Sequence, residues 1–358
     1  MKIAIILGTR PEIIKMSPII KECQHRKLDF FILHTNQHYS TNLDSIFFKE
    51  LCLPHPQYNL QIGSGTHAEE TGKMLIGIEK ILKKENPNII LVEGDTNTVL
   101  AGALSAAKLR IKVGHVEAGL RSYFREMPEE INRILTDHLS DYLFTPTTQT
   151  KEILLREGIS QERIFLTGNT IVDAVFQNLK IAEEKSQILK KIKLKKNNYL
   201  LLTVHRQENV DIRNRLNQIM SGIGKIYRKY NLPIIYPIHP RSSKMIKQFK
   251  IIIPDGVKII NSVGYLDFLN LEASSRLVLT DSGGVQEETC VLQVPCVTLR
   301  DNTERPETIE VGSNILAGVN PQKILQSTEF MLNKKKHWEN PFGSGKSSLT
   351  ILNIITHI

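Results

Sequence analysis

The chain has 358 residues, enough for two ordinary domains with cores of their own and too many for a small module held together by disulfides or metal. With 46 Lys and Arg against 37 Asp and Glu the formal charge is +9, and 41% hydrophobic with 23% charged residues is a globular balance that excludes a disordered or collagen-like chain. The basic residues are dispersed. Their densest runs, 190–196 and 334–336, fall where surface helices should end, so they read as solvated faces and no nucleic-acid partner is expected.

The first apolar run, 3–7, is too short for a signal sequence or a membrane span and reads as a buried strand. Pro11 follows it where the first turn of a helix tolerates proline. Further β-branched runs come at 30–35, 88–95, 112–118, 142–146 and 163–168. Between them, Thr66 and Glu69 form a capping-box pattern ahead of the apolar stripe Met74, Leu75, Ile78, Ile81 and Leu82. An amphipathic stretch, 171–196, interrupts the series, which then restarts at 199–205, 234–239, 257–262, 276–281 and 295–300. Strands alternating with helices predict an α/β fold of two Rossmann-like doubly wound halves linked near 170–195. The late string Gly343-Ser344-Gly345-Lys346-Ser347 lacks the first glycine of a phosphate loop and any preceding strand, so it is not read as one. The four cysteines, Cys23, Cys52, Cys290 and Cys296, form no C-x-x-C pair, and no histidines cluster at zinc spacing. A reduced, cytoplasmic protein without a structural metal is expected.

In open α/β sheets ligands bind beyond the carboxyl ends of the strands, and those positions are polar here. Arg10 and Lys15 follow the first strand beside a helix start, which is anion-binding equipment or plain surface charge. Asp95 and Glu117 end two strands that should be central, where charge costs desolvation unless partners or chemistry compensate; Asp95 serves equally well as a helix N-cap. Glu129 lies just inside a helix start, which the macrodipole favours without any function, and Arg121 and Arg133 interleave with these acids. In the second half His205 and Arg206 end a strand, and Ser282-Gly283-Gly284 turns from strand into helix with small residues that let backbone N–H groups approach a phosphate. Glu287 and Glu288 follow, then Arg300 and Arg305. No G-x-G-x-x-G follows the first strand, so bound NAD is not expected.

Seven strings occur in order: GTRPEIIK (8–15), EGDT (93–96), HVEAGLRS (115–122), MPEEINR (127–133), TVHRQEN (203–209), DSGGVQEE (281–288) and DNTERPE (301–307). Together they resemble the non-hydrolysing UDP-N-acetylglucosamine 2-epimerases, from residue 3 to NPFGSGKSS at 340–348. The resemblance implies a glycosyltransferase-B type fold with domains 1–172 and 173–344, a tail 345–358 returning to the first domain, and an active site in the interdomain cleft. It also implies interconversion of UDP-GlcNAc and UDP-ManNAc without a cofactor, in a cytoplasmic homodimer that needs no membrane. Carried over residue by residue, it places uridine diphosphate contacts on Arg10, Lys15, His205, Phe268, Ser282, Gly283, Gly284, Glu288 and Arg305. The acid and base carboxylates fall on Asp95, Glu117 and Glu129, with His205 donating to the departing diphosphate. Phe268 comes from the resemblance alone; the pattern YLDFLNLEA would assign it to helix packing. The rival activities are a hydrolysing epimerase, a sugar transferase of the same fold, and a nucleotide-sugar binding protein. One departure stands out: bacterial members typically carry Q-H-R in a region associated with a second, regulatory UDP-GlcNAc, and here Gln37-His38 is followed by Tyr39, which predicts weaker activation.

Overall fold

A parallel strand covered on both faces needs apolar side chains on both, so continuous Val, Ile and Leu runs are its signature. Every run expected as a strand is one. The computed structural model describes residues 1–36 and 47–357; Tyr39 lies outside them. Among the described residues the first sheet holds β1 (Lys2–Leu7), β2 (Asp29–His34), β3 (Tyr58–Asn59), β4 (Ile89–Glu93), β5 (Lys112–Val116), β6 (Tyr142–Thr145) and β7 (Ile164–Leu166), all parallel, in the order β3-β2-β1-β4-β5-β6-β7. The second holds β8 (Leu200–Thr203), β9 (Ile234–Ile238), β10 (Val257–Asn261), β11 (Leu277–Thr280), β12 (Cys296–Thr298) and β13 (Asn314–Leu316), also parallel, in the order β10-β9-β8-β11-β12-β13. Both are doubly wound, and the strand order reverses between β1 and β4 and between β8 and β11.

The chain forms two compact units, Met1–Gln177 with Phe342–Ile358, and Asn178–Pro341. The first division falls inside the helix Thr170–Lys185, where the sequence placed it at 172; the amphipathic stretch expected over 171–196 is that helix and a short one, Ile188–Lys191. In the first unit Ala4, Ile6, Leu33, Ile90 and Val92 pack against Met74, Ile78 and Leu82 of the helix His67–Glu85 and Val99 and Ala103 of the helix Asn97–Lys108. Burying each of the larger of these side chains contributes roughly 1.5–3 kcal/mol. Thr66 and Glu69 cap the first of those helices reciprocally. In the second unit Leu200, Leu202, Leu277, Leu279 and Val297 meet Ile219 and Ile223 of the helix Arg213–Tyr230.

The tail is docked by its backbone. Asn169 N donates to Phe342 O at 2.8 Å, and Gly168 adopts φ +79 where an added Cβ would lie 2.9 Å from that same oxygen. The helix Ser347–Thr356 receives the buried Asp173 carboxylate at its start, from Ser347 N at 3.1 Å, Ser348 N at 2.9 Å and Ser348 Oγ at 2.7 Å. A carboxylate already occupies the helix start after Gly345, so this stretch does not cradle a phosphate. Asp173→Ala leaves those donors buried without their acceptor and is expected to cost about 1–3 kcal/mol. Thermal unfolding reads this; an unchanged midpoint would remove the staple from the account. No helix among the described residues is long and apolar enough to cross a membrane.

Candidate active site

The carboxyl end of β1 needs a residue without a side chain. A Cβ on Gly8 would lie 2.2 Å from both Thr35 Oγ1 and Thr98 Oγ1, which bond each other at 2.8 Å. Thr9 then starts the helix Arg10–His25, and Glu12 folds back in a capping box, accepting from Gly8 N at 2.5 Å, Thr9 N at 3.3 Å and Thr96 Oγ1 at 2.6 Å. Burial still pushes the Glu12 carboxyl up to about 7, against those donors. Arg10 lies over the Phe47 ring, 5.1 Å from its centroid. Lys15, expected as an anion ligand, is buried, with its ammonium paired to Glu117 and 3.5 Å from Glu93 Oε1. Burial drives Glu93 far above the usual carboxylate range; Lys15 opposes this, and Glu117, Glu12 and Asp95 add to it. Burial thus favours the protonated form of two of these groups, Glu12 and Glu93.

Glu12 makes this measurable. Its folded pKa of about 7 exceeds the ordinary 4.5, so between those values the folded chain holds a proton that the unfolded chain has lost. Stability therefore falls as pH rises through that window, at up to about 1.4 kcal/mol per pH unit. Glu12→Gln is expected to flatten this slope in urea unfolding followed from acid to neutral pH; an unaltered slope would place the proton elsewhere.

Asp95 and Glu117 leave neighbouring strand ends: Glu93 on β4 pairs with Val116 on β5, and Gly94 N donates to Val116 O at 3.2 Å. Asp95 is not the cap of the next helix, a role that falls to Thr96; its Oδ2 accepts from Arg133 Nε at 2.9 Å and its backbone oxygen from Asn132 at 2.9 Å. Glu117 sits at φ +68, a left-handed backbone that is costly away from glycine, and its Oε2 accepts from Asn169 Nδ2 at 3.0 Å as well as from Lys15. Glu129 and Glu130 open the helix Pro128–Leu139 but differ in role. Glu130 is buried and accepts from Ser122 N, Ser122 Oγ and Tyr123 N, each at 2.9 Å. Glu129 is half-buried and makes no hydrogen bond or ion pair among the described residues.

In the second unit the switch point is built around Asp281, wholly buried at the end of β11. It accepts from His205 N at 3.1 Å, Arg206 N at 3.0 Å and Asn209 Nδ2 at 3.1 Å, which fixes the turn leaving β8. His205 Nδ1 lies 3.5 Å from Asp281 Oδ1; burial lowers the ring's pKa, Asp281 opposing and Arg206 adding. Beside it the helix Gly283–Val291 begins after Ser282, whose side chain makes no capping bond. The two glycines are not demanded by packing: a Cβ on Gly283 would meet only Glu304 Oε2, at 3.8 Å, and one on Gly284 only Ser282 Oγ, at 4.0 Å. Open space above a bare helix N-terminus suits an anion.

Arg305 pairs with the buried Glu287 at 2.5 Å. Glu288 is buried beside Glu272, whose carboxyl burial and Glu288 together hold well above the usual range. Phe268 is partly buried against the apolar cluster that includes Tyr199, Leu271 and Val285. Arg300 is engaged within its own unit. Its guanidinium is buried and consumed by Glu304 at 2.9 and 2.9 Å, Glu208 at 2.8 Å and Asn302 at 3.1 Å. Sequence reasoning passed over Glu93, Asn169 and Asp281. Glu93 and Asp281 carried the signal that singled out Asp95, an acid ending an apolar run; Asn169 carried none.

A family model described as UDP-N-acetylglucosamine 2-epimerase matches residues 21–356. The chain belongs to that family. It is 60% identical to the UDP-N-acetylglucosamine 2-epimerase of Methanocaldococcus jannaschii, over 100% of this chain and 99% of that one. A crystal structure of the M. jannaschii UDP-GlcNAc 2-epimerase in complex with UDP-GlcNAc and UDP superposes with a TM-score of 0.94 at 59% identity, covering 100% of both chains. A UDP-2,3-diacetamido-2,3-dideoxy-D-glucuronate 2-epimerase of Pseudomonas aeruginosa is 40% identical over 98% of this chain and 98% of that one. The two doubly wound sheets are thus the glycosyltransferase-B type fold of the UDP-GlcNAc 2-epimerases.

Proposed function

We propose that the protein interconverts UDP-GlcNAc and UDP-ManNAc without net hydrolysis, by elimination and re-addition of UDP. The observation that carries this reading is that Asp95 and Glu117 emerge from adjacent strand ends, each held by its own cation, Arg133 and Lys15. The C2 hydrogen of the sugar has no neighbouring carbonyl to stabilise a carbanion, so direct deprotonation is a poor route. Breaking the C1–O bond sends the electron pair out with UDP and leaves oxocarbenium-like character at C1, which acidifies C2–H. A carboxylate takes that proton, giving 2-acetamidoglucal; UDP then adds back at C1 while a proton is delivered to the opposite face of C2. Asp95, Glu117 and Glu129 serve both demands, stabilising positive charge and moving the proton. Ser282 and the amides at Gly283 and Gly284, with Arg10, Lys15, His205, Glu288 and Arg305, contact the uridine diphosphate, and Phe268 lies against the uracil.

The close M. jannaschii relative supports UDP-GlcNAc as substrate over the diacetamido glucuronate of the more distant one. A cytoplasmic homodimer belongs to the same reading. Its support is apolar surface: Ile131 and Leu135, one turn apart on the helix Pro128–Leu139, are exposed, as is Ile76 on the helix His67–Glu85, and both helices pack on the helix Asn97–Lys108. Sedimentation equilibrium decides between dimer and monomer.

The chemistry is tested by incubating the purified chain with UDP-GlcNAc in D₂O and following products by NMR. UDP-ManNAc carrying deuterium at C2 is the expected outcome, because carboxylates exchange the proton they carry. Full retention of C2 protium would sink elimination; stoichiometric ManNAc and UDP would make the enzyme hydrolysing; UDP release only with an added acceptor would make it a transferase.

A further inference from the structure

Beneath the acids lies a polar pair to which none of the roles above has been given. His115, on β5 two residues before Glu117, is 1% exposed. Its Nε2 stands 2.8 Å from Gly94 O and its Nδ1 2.7 Å from Asp137 Oδ1. The ring thus bridges a backbone carbonyl and a carboxyl group in two directions that no amide side chain can reach at once. Gly94 O belongs to the peptide that leads into Asp95, and Gly94 N is already held by Val116 O, so this turn, at φ +85, is fixed from both sides. Asp137 is fully buried. Its Oδ2 accepts from Gly119 N at 3.2 Å, just past Glu117, and pairs with Arg121 Nη1 at 2.7 Å. Burial alone would raise the Asp137 pKa, but His115 and Arg121 more than offset it and hold the carboxyl below its ordinary range. Arg121 in turn clamps Glu157 through Nε at 2.8 Å and Nη2 at 2.6 Å. Along the helix Pro128–Leu139, Glu129, Arg133 and Asp137 follow at four-residue spacing and so share one face.

We propose that His115 and Asp137 are positioning residues for the epimerisation, a brace that fixes the Gly94–Asp95 peptide, the turn after Glu117, and the register of the helix presenting Glu129 and Arg133. A well-packed apolar pair would serve the core of this unit as well or better, because buried charge must overcome desolvation. What an apolar pair lacks is direction. His115 ties one strand end to the next, and Asp137 ties both to the helix that supplies the third acid and the partner of Asp95. Displacements of about 1 Å at reacting groups cost on the order of 10²-fold in rate, which is the scale such a brace controls.

The inference rests on the epimerase reading, and turnover of UDP-GlcNAc by the parent chain is the control that separates the two. His115→Gln and Asp137→Asn, the second keeping an acceptor for the ring, are compared with the parent for kcat, KM, UDP affinity by calorimetry and thermal midpoint. The expected result is kcat lower by about 10²-fold in each, KM and UDP affinity within about threefold of the parent, and a double variant no worse than the singles. Three outcomes overturn the proposal: kcat within about threefold of the parent in both variants, a loss of kcat matched by an equal loss of UDP affinity, or failure of both variants to fold, which would make the pair a folding element only.

Discussion

Glu129→Gln is expected to lower kcat by about 10²-fold or more, the usual scale for a positioned acid or base, while UDP affinity and the thermal midpoint hardly move. The geometry makes it the cleanest of the three carboxamide variants. Glu129 has no partner among the described residues, so exchanging its carboxylate for an amide removes a proton acceptor and nothing else. Asp95→Asn and Glu117→Gln should reach the same range but by mixed routes. The first weakens the bond to Arg133, and the second leaves the buried Lys15 ammonium with less counter-charge. Their stabilities should therefore shift where that of Glu129→Gln does not. Near-parent turnover in all three would overturn the assignment of the acids.

The largest effect on stability is expected at Lys15. Lys15→Met fits the space of the alkyl chain but removes the cation that Glu93 and Glu117 share, and stripping one partner from a buried pair typically costs about 3–5 kcal/mol. Glu93 already sits far above the usual carboxylate range because of burial, and without Lys15 it rises further. An acid whose folded pKa exceeds its unfolded value holds its proton in the native state while the unfolded chain has given it up, so stability is lost as pH climbs above the ordinary carboxylate value. The variant should accordingly lie closest to the parent in mildly acidic solution and fall furthest behind at alkaline pH. Urea midpoints of both proteins at pH 5 and pH 8 test this; equal midpoints at pH 8 would mean that Lys15 does not compensate the acids.

How much of this the amino-acid order carried depends on range. Strands such as 88–95 and 112–118 are legible because burial on both faces writes itself as an unbroken apolar run, and the polar residues after them mark the ligand end of the sheet without further information. β3, two residues long, is too short for any pattern to form, and β13, with Asn314 among its three residues, carries no unbroken apolar run. The acids Asp95, Glu117 and Glu129 were legible as candidates, but their partners were not. Nothing in the spacing says that Arg133 reaches back to Asp95 or that Asn169 reaches Glu117, since such contacts join residues dozens of positions apart. The environment of Lys15 is not legible either: a lysine one turn into a helix is usually exposed, and only the sheet behind it puts this one against two acids. The donors of Arg300 are likewise taken by Glu208, Asn302 and Glu304, contacts that its position after a strand does not announce. Phe268 could be singled out only through family resemblance, because its helix pattern reads as ordinary packing and the side chain does pack.

The staple between Asp173 and the helix Ser347–Thr356 bears on the order in which the protein can be made. That late helix lies against the helix Arg10–His25, with Arg26 donating to Asn353 Oδ1 at 2.7 Å, so a segment from beyond residue 341 backs the element that carries Lys15. On the ribosome every residue of the second unit must emerge before the first can be closed, and domains otherwise fold as they appear. During that interval Arg10–His25 has one flank exposed and Asp173 has no amides to receive. The backing of the helix that carries Lys15 is therefore completed only after the whole second unit has been synthesised. A truncation just ahead of Phe342 would leave a chain with all of its acids and none of this backing.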